Sequence, residues 1–456
     1  MNIVFLMSVL LKGIGAVLEI LLQVTITRIG GLSGYGTYTT WINTADLIFW
    51  CLFSGIVKCN TFYLSGKHAS LKSFKTKYYT RYVFPVLVVI MILAGVIGNQ
   101  AVLIVPLIAL TELLVFDQSS VLLSEGGYLR SLTGEYIIGR MFLLAAVVIF
   151  HMNDILSLKA LVLLYLVQYL VVLGFFYRKK DKKREDLSEE LSLSKIGRYQ
   201  RADIMQSLIG QMPVILQYLF VGSFEAGITG IILLIKKLIN FISGPTAKIF
   251  LPEFSKLYHN KDYEGIQKSF SSIMRIQMVF AGPLAVILVG YPRVILGILA
   301  NELLPYTKLF AGCSAVFLLA ATLGPCGGLM QMTDHEKEDN RCREGSIAVM
   351  FLVFFLLRRN PLFTLYGLAV QTLLEAASKY IFVCHTMKQA PVRTRTYLGW
   401  WMVPGAAILF TYILHAEESF LMMVCAALIA FLAAFFREFK EENFVKALIR
   451  KRKEQI

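Results

Sequence analysis

Charged residues are scarce in this sequence. Only 16% of its 456 residues are Asp, Glu, Lys or Arg, whereas 57% are hydrophobic. A soluble domain carries about 25% charged residues. The mean hydropathy is +0.64, and apolar stretches recur from end to end. This composition excludes an ordinary soluble domain and predicts an all-α polytopic membrane protein.

The sequence also lacks the motifs on which catalysis and metal binding usually depend. Its seven cysteines and six histidines are dispersed, and no CxxC pair or Cys/His cluster occurs. Neither a metal site nor a disulfide framework is therefore predicted. No P-loop, GxSxG or HExxH pattern is present, and the outer turns are short. We expect no cofactor and no built-in ATPase.

The apolar stretches predict twelve to fourteen transmembrane helices, because a bilayer core of about 30 Å requires about 20 residues per helix. Fourteen spans can be drawn: 4–26, 35–57, 82–98, 101–123, 136–152, 155–177, 200–222, 224–250, 270–291, 306–331, 346–357, 361–385, 398–415 and 419–436. The eleventh is short and follows the charged segment TDHEKEDNRCRE, which we expect to be a loop. Twelve helices is the alternative count.

The basic residues fall on one side of this topology. With the N-terminus in the cytoplasm, 34 of the 45 Lys and Arg residues lie in cytoplasmic segments, and four lie in outer turns. Such a bias sets the orientation of a membrane protein, so both termini are expected to be cytoplasmic. The formal charge of +15 then requires no nucleic-acid partner, and membrane lipids are the expected partners of the basic segments.

The longest polar stretch divides the chain into two parts. We predict an N-terminal six-helix bundle over 1–177, a basic cytoplasmic linker over 178–199, a C-terminal six-helix bundle over 200–388, and two additional helices with a basic cytoplasmic tail over 389–456. A Gly-rich outer turn follows the first span (GGLSGYGTY) and the seventh (GSFEAGITG). These turns suggest that the two bundles are internal repeats around a central cavity.

Polar side chains recur at helical spacing within several spans. A charged side chain at the bilayer centre costs about 2.5–3.5 kcal/mol on insertion scales, so several such stripes predict a hydrated interior. The stripes contain these candidate cavity residues: Glu19, Asn43, Asp46, Asp203, Gln206, Lys237, Asn240 and Lys248.

Two adjacent lysines, Lys236 and Lys237, lie near the middle of the eighth span with no acid beside them. Neighbouring helical positions point about 100° apart. One lysine is therefore expected to face the cavity and the other a neighbouring helix. Lys237 is favoured for the cavity because it aligns with Asn240 and Lys248.

Other intramembrane charges have a structural interpretation. Lys12 lies near a predicted span end, where a long side chain reaches the interface. Glu375 and Lys379 are four residues apart and are expected to pair with each other. Glu112 and Asp117 are expected to cap or hydrogen-bond neighbouring helices. Prolines predict kinks or breaks in four spans: Pro213, Pro245, Pro283 and Pro325.

Three segments resemble polysaccharide flippases of the multidrug/oligosaccharidyl-lipid/polysaccharide (MOP) exporter superfamily. KGIGAVLEILLQVTITRIGGLSGYGTYTTW is similar to the family's opening helix pair, and QYLFVGSFEAGITGIILLIKKLINFISGPTAKIFLPEFSKLYHNKDYEGIQKSF to the start of its second bundle. ATLGPCGGLMQMTDHEK resembles its tenth helix and the following loop. The resemblance implies translocation of an undecaprenyl-diphosphate-linked O-antigen or capsular repeat unit to the outer leaflet of the bacterial inner membrane.

The resemblance also implies a transporter rather than an enzyme, with a cavity that holds a lipid-linked anionic oligosaccharide. The cationic positions carried over are Arg28, Lys236, Lys237 and Lys248. Glu19 and Asp46 are candidates for coupling to protons or sodium. A polymerase and a chain-length regulator of the same pathway are further expected partners.

Three alternatives stay open. One is a cation-coupled multidrug exporter of the same superfamily, and the second is a peptidoglycan-precursor flippase. The third, from another class, is a membrane polysaccharide polymerase, against which the short outer turns argue.

Overall fold

The computed structural model describes residues 3–64, 69–96, 103–177, 185–186, 193–387 and 394–440. In chain order the α-helices are α1 (Ile3–Leu52), α2 (Gly55–Leu64), α3 (Lys72–Tyr78), α4 (Phe84–Val96), α5 (Ile104–Ser124), α6 (Tyr128–Thr133), α7 (Gly139–Met152), α8 (Leu158–Phe176), α9 (Leu193–Gly210), α10 (Met212–Phe220), α11 (Ser223–His259), α12 (Tyr263–Ala285), α13 (Pro292–Leu299), α14 (Thr307–Thr322), α15 (Cys326–Met332), α16 (Glu336–Leu356), α17 (Phe363–Met387), α18 (Thr394–Ile413) and α19 (Phe420–Lys440). Two-residue strands β1 (Ala69–Ser70) and β2 (Glu185–Asp186) pair in parallel. The predicted helical fold class is confirmed.

Within the described residues, six helical stretches are long and apolar enough to cross a membrane. They are Leu10–Leu52, Ile104–Ser124, Tyr128–Met152, Leu158–Phe176, Tyr263–Gly290 and Asn301–Met332. Two shorter apolar helices follow at Tyr397–Ile413 and Phe420–Phe436. The chain is therefore a multi-pass membrane protein. The total of twelve to fourteen spans and the cytoplasmic termini remain predictions.

Glycine and proline shape several of these helices. The range of α1 covers the first two predicted spans, which are two helices joined at a sharp kink at Gly31 (φ 64°, ψ 176°), a conformation that glycine adopts without a Cβ clash. Pro213 lies at the start of α10, Pro283 precedes a π-helical turn, and Pro325 comes directly before α15. Helix breaks are thus confirmed at Pro213 and Pro325, whereas Pro283 lies inside α12 and α11 runs through position 245 as one helix.

The charged segment before the eleventh predicted span forms a helix. The expectation of a loop over TDHEKEDNRCRE is wrong, because α16 begins at Glu336 and continues into the apolar stretch. Three acids occupy its first turn, where their negative charges interact favourably with the positive end of the helix dipole and stabilise the helix. Asp339 and Arg343 then form an i,i+4 ion pair of 3.7 Å.

The chain separates into two compact units, Met1–Gly230 and Ile231–Ile456. In the first unit, α9 and α10 pack on α1, and α5 packs on α8. In the second unit, α16 packs on α17, and α12 packs on α19. α9 and α10, which follow the linker in sequence, thus belong to the first compact unit. The division at 178–199 stays a prediction, and most of that linker lies outside the described residues.

Candidate functional site

The second unit holds Lys236 against two other helices. The Lys236 Nζ donates a hydrogen bond to the Thr372 Oγ1 on α17 at 2.7 Å. The same ammonium lies 5.4 Å from the centre of the Phe317 ring on α14, within the range of a cation–π contact. The negative charge of Glu375, one turn further along α17, also acts on it. Lys236 is therefore a half-buried cation with fixed neighbours.

Lys237 has a different environment from its neighbour. Its side chain is exposed, and so is that of Asn240 three positions further along α11. Positions three apart lie on one face of a helix, so the two side chains form a polar exposed stripe. The side chain of Lys248, which the sequence pattern adds to this stripe, lies outside the described residues.

A buried charge network lies beside Lys236 and consists of Asp339, Arg343, Glu375 and Lys379. The Lys379 Nζ lies 2.7 Å from the Asp339 Oδ1 and 2.6 Å from the Glu375 Oε1. The Arg343 Nε lies 3.3 Å from the same Glu375 oxygen. The expected pairing of Glu375 with Lys379 is confirmed. Asp339 and Arg343 were missed because their segment was assigned to a loop, although their i,i+4 spacing was a usable signal.

The second unit has one cation more than these acids require. Asp339 is fully buried, and within the buried charge network its charge and that of Glu375 are balanced by Arg343 and Lys379. Lys236 adds a third positive charge at the edge of the network. A buried cation without its own counter-ion is costly, so this arrangement favours the approach of an anion.

In the first unit, the acids on α1 have two kinds of partner. The Glu19 Oε2 lies 2.7 Å from the Arg140 Nε on α7, and the Gln23 Nε2 donates to the Glu19 Oε1 at 2.8 Å. Glu19 is therefore an ion-paired carboxylate. Asp46 instead lies within electrostatic reach of a second carboxyl, that of the buried Glu112 on α5.

The contact between Asp46 and Glu112 has a chemical consequence. Two carboxylates held close together repel each other, and this repulsion favours a state in which the pair holds one proton. Tyr165 and Tyr169 on α8 lie close enough to feel both charges, and Tyr38 on α1 feels that of Asp46. The site can hold a proton inside an apolar helix bundle. Sequence reasoning had assigned Glu112 only a structural hydrogen bond.

The remaining candidates of the first unit have diverse surroundings. The Lys58 Nζ on α2 lies 2.6 Å from the Asp203 Oδ1 on α9, so Asp203 is neutralised by a residue that the sequence pattern did not single out. The Asn43 Nδ2 donates to the Thr39 carbonyl at 2.7 Å. Gln206 and Arg28 are exposed.

Asp117 carries the structural role expected of it. The Lys75 Nζ lies 2.7 Å from the Asp117 Oδ1, and the Asn60 Nδ2 donates to the same oxygen at 2.7 Å. Across the described residues, no three His, Cys, Asp or Glu side chains come close enough to hold a metal ion.

Solved structures share this fold although sequence comparisons find no relative. No protein-family model and no curated protein matches the sequence. An inward-facing multidrug resistance MATE family transporter of the MOP superfamily has a TM-score of 0.64 and 10% identity, with coverage of 82% of this chain and 94% of the transporter. A MOP superfamily transporter from Pyrococcus furiosus, whose binding pocket of reverse polarity suggests a different function, has a TM-score of 0.57 and 11% identity over 84% and 95%.

A lipid II flippase is also similar. MurJ in its inward closed conformation has a TM-score of 0.58 and 11% identity, covering 96% of this chain and 100% of the flippase. All three solved proteins are transporters or flippases, and none is an enzyme. This chain therefore has the fold of the MOP superfamily transporters MATE and MurJ.

Proposed function

We propose that this protein is a transporter that moves an undecaprenyl-diphosphate-linked oligosaccharide, an O-antigen or capsule precursor, from the inner to the outer leaflet of the bacterial inner membrane by alternating access. One observation carries the proposal: Lys237 is exposed beside Lys236, in a unit whose neighbouring acids are already neutralised by Arg343 and Lys379. A cation surplus of this kind suits an anionic substrate.

The physical chemistry of the substrate explains why cations are needed. A diphosphate cannot enter hydrocarbon without a large desolvation cost, whereas its polyprenyl tail remains in lipid. Lysine is a compact point charge on a flexible stem, and it can follow a phosphate that moves. In this proposal Lys237 contacts the diphosphate, while Arg28, Lys236 and Lys248 contribute positive potential along its path.

The polar candidates would hydrogen-bond the sugar portion of the substrate and line its path. Asn43, Gln206 and Asn240 offer amide donors and acceptors to hydroxyl groups. Asp203 would line the path as the partner of Lys58 in an ion pair. The proposed partners are lipids and, in the pathway, a polymerase and a chain-length regulator.

Ion coupling is proposed at Asp46 rather than at Glu19. The support is the difference in partners: Glu19 is neutralised by Arg140 at 2.7 Å, whereas Asp46 contacts the acid Glu112. A carboxyl pair can bind and release one proton, and a carboxylate held by a guanidinium is a poor acceptor.

The alternatives within the superfamily fit the fold equally well. The flippase matches more of this chain (96% against 82%), whereas the multidrug transporter has the higher TM-score (0.64 against 0.58). A cation-coupled drug exporter would favour an acidic cavity over exposed lysines. A peptidoglycan-precursor flippase carries a similar diphosphate, so growth phenotype must separate it.

The test is replacement of Lys237 by alanine in a strain that depends on this chain for surface polysaccharide. We expect membrane insertion to be normal and surface polymer to fall at least tenfold. Lys268→Ala is the matched control, since Lys268 is exposed and pairs only at the surface with Glu264. Full activity of Lys237→Ala would remove the proposed site. Loss of viability on deletion, with polysaccharide intact, would favour the peptidoglycan-precursor alternative.

A further inference from the structure

Two adjacent arginines, Arg358 and Arg359, lie in the turn between α16 and α17, and both side chains are exposed. Within the described part of the chain, neither takes part in an ion pair. The third arginine of the predicted outer turns in this unit, Arg293, instead pairs with Glu417 and Glu418. Two neighbouring cations without an acid run against the charge bias of the chain, which keeps basic residues out of the outer turns.

The turn that carries the two arginines has a fixed backbone. The Asn360 backbone nitrogen donates to the Leu357 carbonyl at 2.7 Å, and the Asn360 Oδ1 accepts from the Leu362 backbone nitrogen at 2.9 Å. Below the turn, Phe354 on α16 and Phe363 on α17 pack edge to face, with ring centres 5.7 Å apart. The arginines therefore project from an ordered connection between two packed helices.

A stripe of exposed apolar side chains leads along α16 to the arginines. Leu352, Phe355 and Leu356 are each more than half exposed, and their spacing of three and four positions places them on one face of the helix. The Arg358 guanidinium lies 5.0 Å from the centre of the Phe355 ring, within the range of a cation–π contact. This apolar stripe and the guanidinium thus form one continuous surface with an apolar body and a cationic end.

The length of α16 places this cationic end at a membrane surface. The 21 residues of the helix extend over about 30 Å, which is the thickness of a bilayer core. The charged start of α16 therefore lies at one surface when Arg358 and Arg359 lie at the other. The charge distribution of the sequence predicts that the arginine end faces away from the cytoplasm.

We propose that Arg358 and Arg359 bind the phosphate of one anionic phospholipid of the outer leaflet, whose acyl chains lie along the apolar stripe. A guanidinium presents N–H groups in a fork that matches two phosphate oxygens. Phosphatidylglycerol fits better than a zwitterionic lipid, because the second guanidinium repels an ammonium head group. The apolar stripe is on the exposed surface of the protein, so the site does not depend on which substrate is transported.

The first test locates the lipid. The full chain is reconstituted in phosphatidylcholine vesicles with a trace of phosphatidylglycerol that carries a photoreactive group in one acyl chain, and cross-links to residues 352–356 are measured by mass spectrometry. The double variant Arg358→Gln, Arg359→Gln should lose about tenfold in these cross-links, because charge-assisted hydrogen bonds are removed. Arg293→Gln is the matched control and should keep them. Cross-links to α19 should be equal in all three proteins, which controls for folding and reconstitution.

Two results of this experiment would overturn the proposal. One is undiminished cross-linking to residues 352–356 in the double variant. The other is loss of the cross-links on addition of geranylgeranyl diphosphate but not of unlabelled phosphatidylglycerol, since the occupant would then be a polyprenyl diphosphate.

The second test determines the leaflet. In a chain without native cysteines, Arg359→Cys and Lys261→Cys are treated with a membrane-impermeant maleimide in right-side-out membrane vesicles. Lys261 is exposed in the connection between α11 and α12, which is predicted to be cytoplasmic. We expect position 359 to react in intact vesicles and position 261 only after lysis. The reverse order would overturn a site in the outer leaflet, and neither test involves transport, so both are independent of the proposed substrate.

Discussion

The two compact units treat intramembrane charge in opposite ways. The first places two acids together, Asp46 and Glu112. The second places Lys236 beside a charge network that is already balanced and leaves Lys237 exposed. An acid pair holds a proton, and a cation surplus attracts an anion. The difference therefore suggests a division of labour, in which coupling belongs to the first unit and substrate charge to the second.

The largest effect is expected from breaking the balance in the second unit. Lys379→Met removes the cation that lies closest to both the fully buried Asp339 and its neighbour Glu375. Removal of one partner of a buried ion pair typically costs about 3–5 kcal/mol. We expect the free energy of unfolding of the purified protein in detergent micelles to fall by this amount. Lys268→Met, at an exposed ion pair, should leave the free energy of unfolding unchanged. If the two variants were equally stable, the network would contribute little to stability.

The next largest effect is expected at Lys236, and it distinguishes the role of this cation from that of the buried charge network. Lys236→Met replaces a half-buried charge with an apolar side chain of similar length, which is often neutral or stabilising. We expect stability to be retained and surface polysaccharide to fall about tenfold, the equivalent of roughly 1.4 kcal/mol. Thr372→Val removes the hydrogen bond from Lys236 at 2.7 Å and the one that the Thr372 hydroxyl donates to the Leu368 carbonyl, and it should reduce activity twofold to threefold. Activity equal to the parent in Lys236→Met would contradict a role in anion binding.

A moderate effect is expected at the acid pair. Asp46→Asn keeps a polar side chain of the same size beside Glu112 but cannot exchange a proton. Transport in inverted vesicles should therefore lose its response to a proton uncoupler while folding is retained. Glu19→Gln serves as the comparison, because it should weaken the contact with Arg140 and leave the uncoupler response in place. A normal response in Asp46→Asn would exclude this pair as the coupling site.

The smallest effect is expected at an exposed ion pair of the second unit. Arg293 lies 2.8 Å from Glu418 and 3.7 Å from Glu417, with about half of its side chain exposed. Such pairs contribute about 0–1 kcal/mol. Arg293→Ala should change the melting temperature little and polysaccharide export not at all. If Arg293→Ala lowered the stability as much as Lys379→Met, burial would not explain why the Lys379 ion pairs contribute more than the Arg293 ion pairs.

The helical fold and the membrane class followed from the sequence because they depend on composition and periodicity. Runs of apolar residues must be helical in a bilayer, and the prolines marked breaks at the starts of α10 and α15. The charged start of α16 was misread because polarity was taken as a loop signal. Its acids at the first turn and its i,i+4 pairs are helix signals that apolar segmentation ignores.

The partners of the charges could be predicted only where they share a helix. Glu375 and Lys379 are four residues apart, so their contact was foreseen. Glu19 with Arg140, Lys58 with Asp203, and Asp46 with Glu112 join residues 66 to 145 positions apart in the chain. Only the packing of helices decides such pairs. The stripe patterns gave no information on which of the charges are neutralised.

The most direct test of the central claim measures access to position 237. In a background without native cysteines, Lys237→Cys is treated with an anionic thiol reagent in the presence and absence of a polyprenyl diphosphate. We predict rapid labelling that the diphosphate slows at least fivefold and that inorganic chloride at equal ionic strength does not slow. A position 237 that never reacts, or one whose labelling ignores the diphosphate, would contradict an anion site at these lysines.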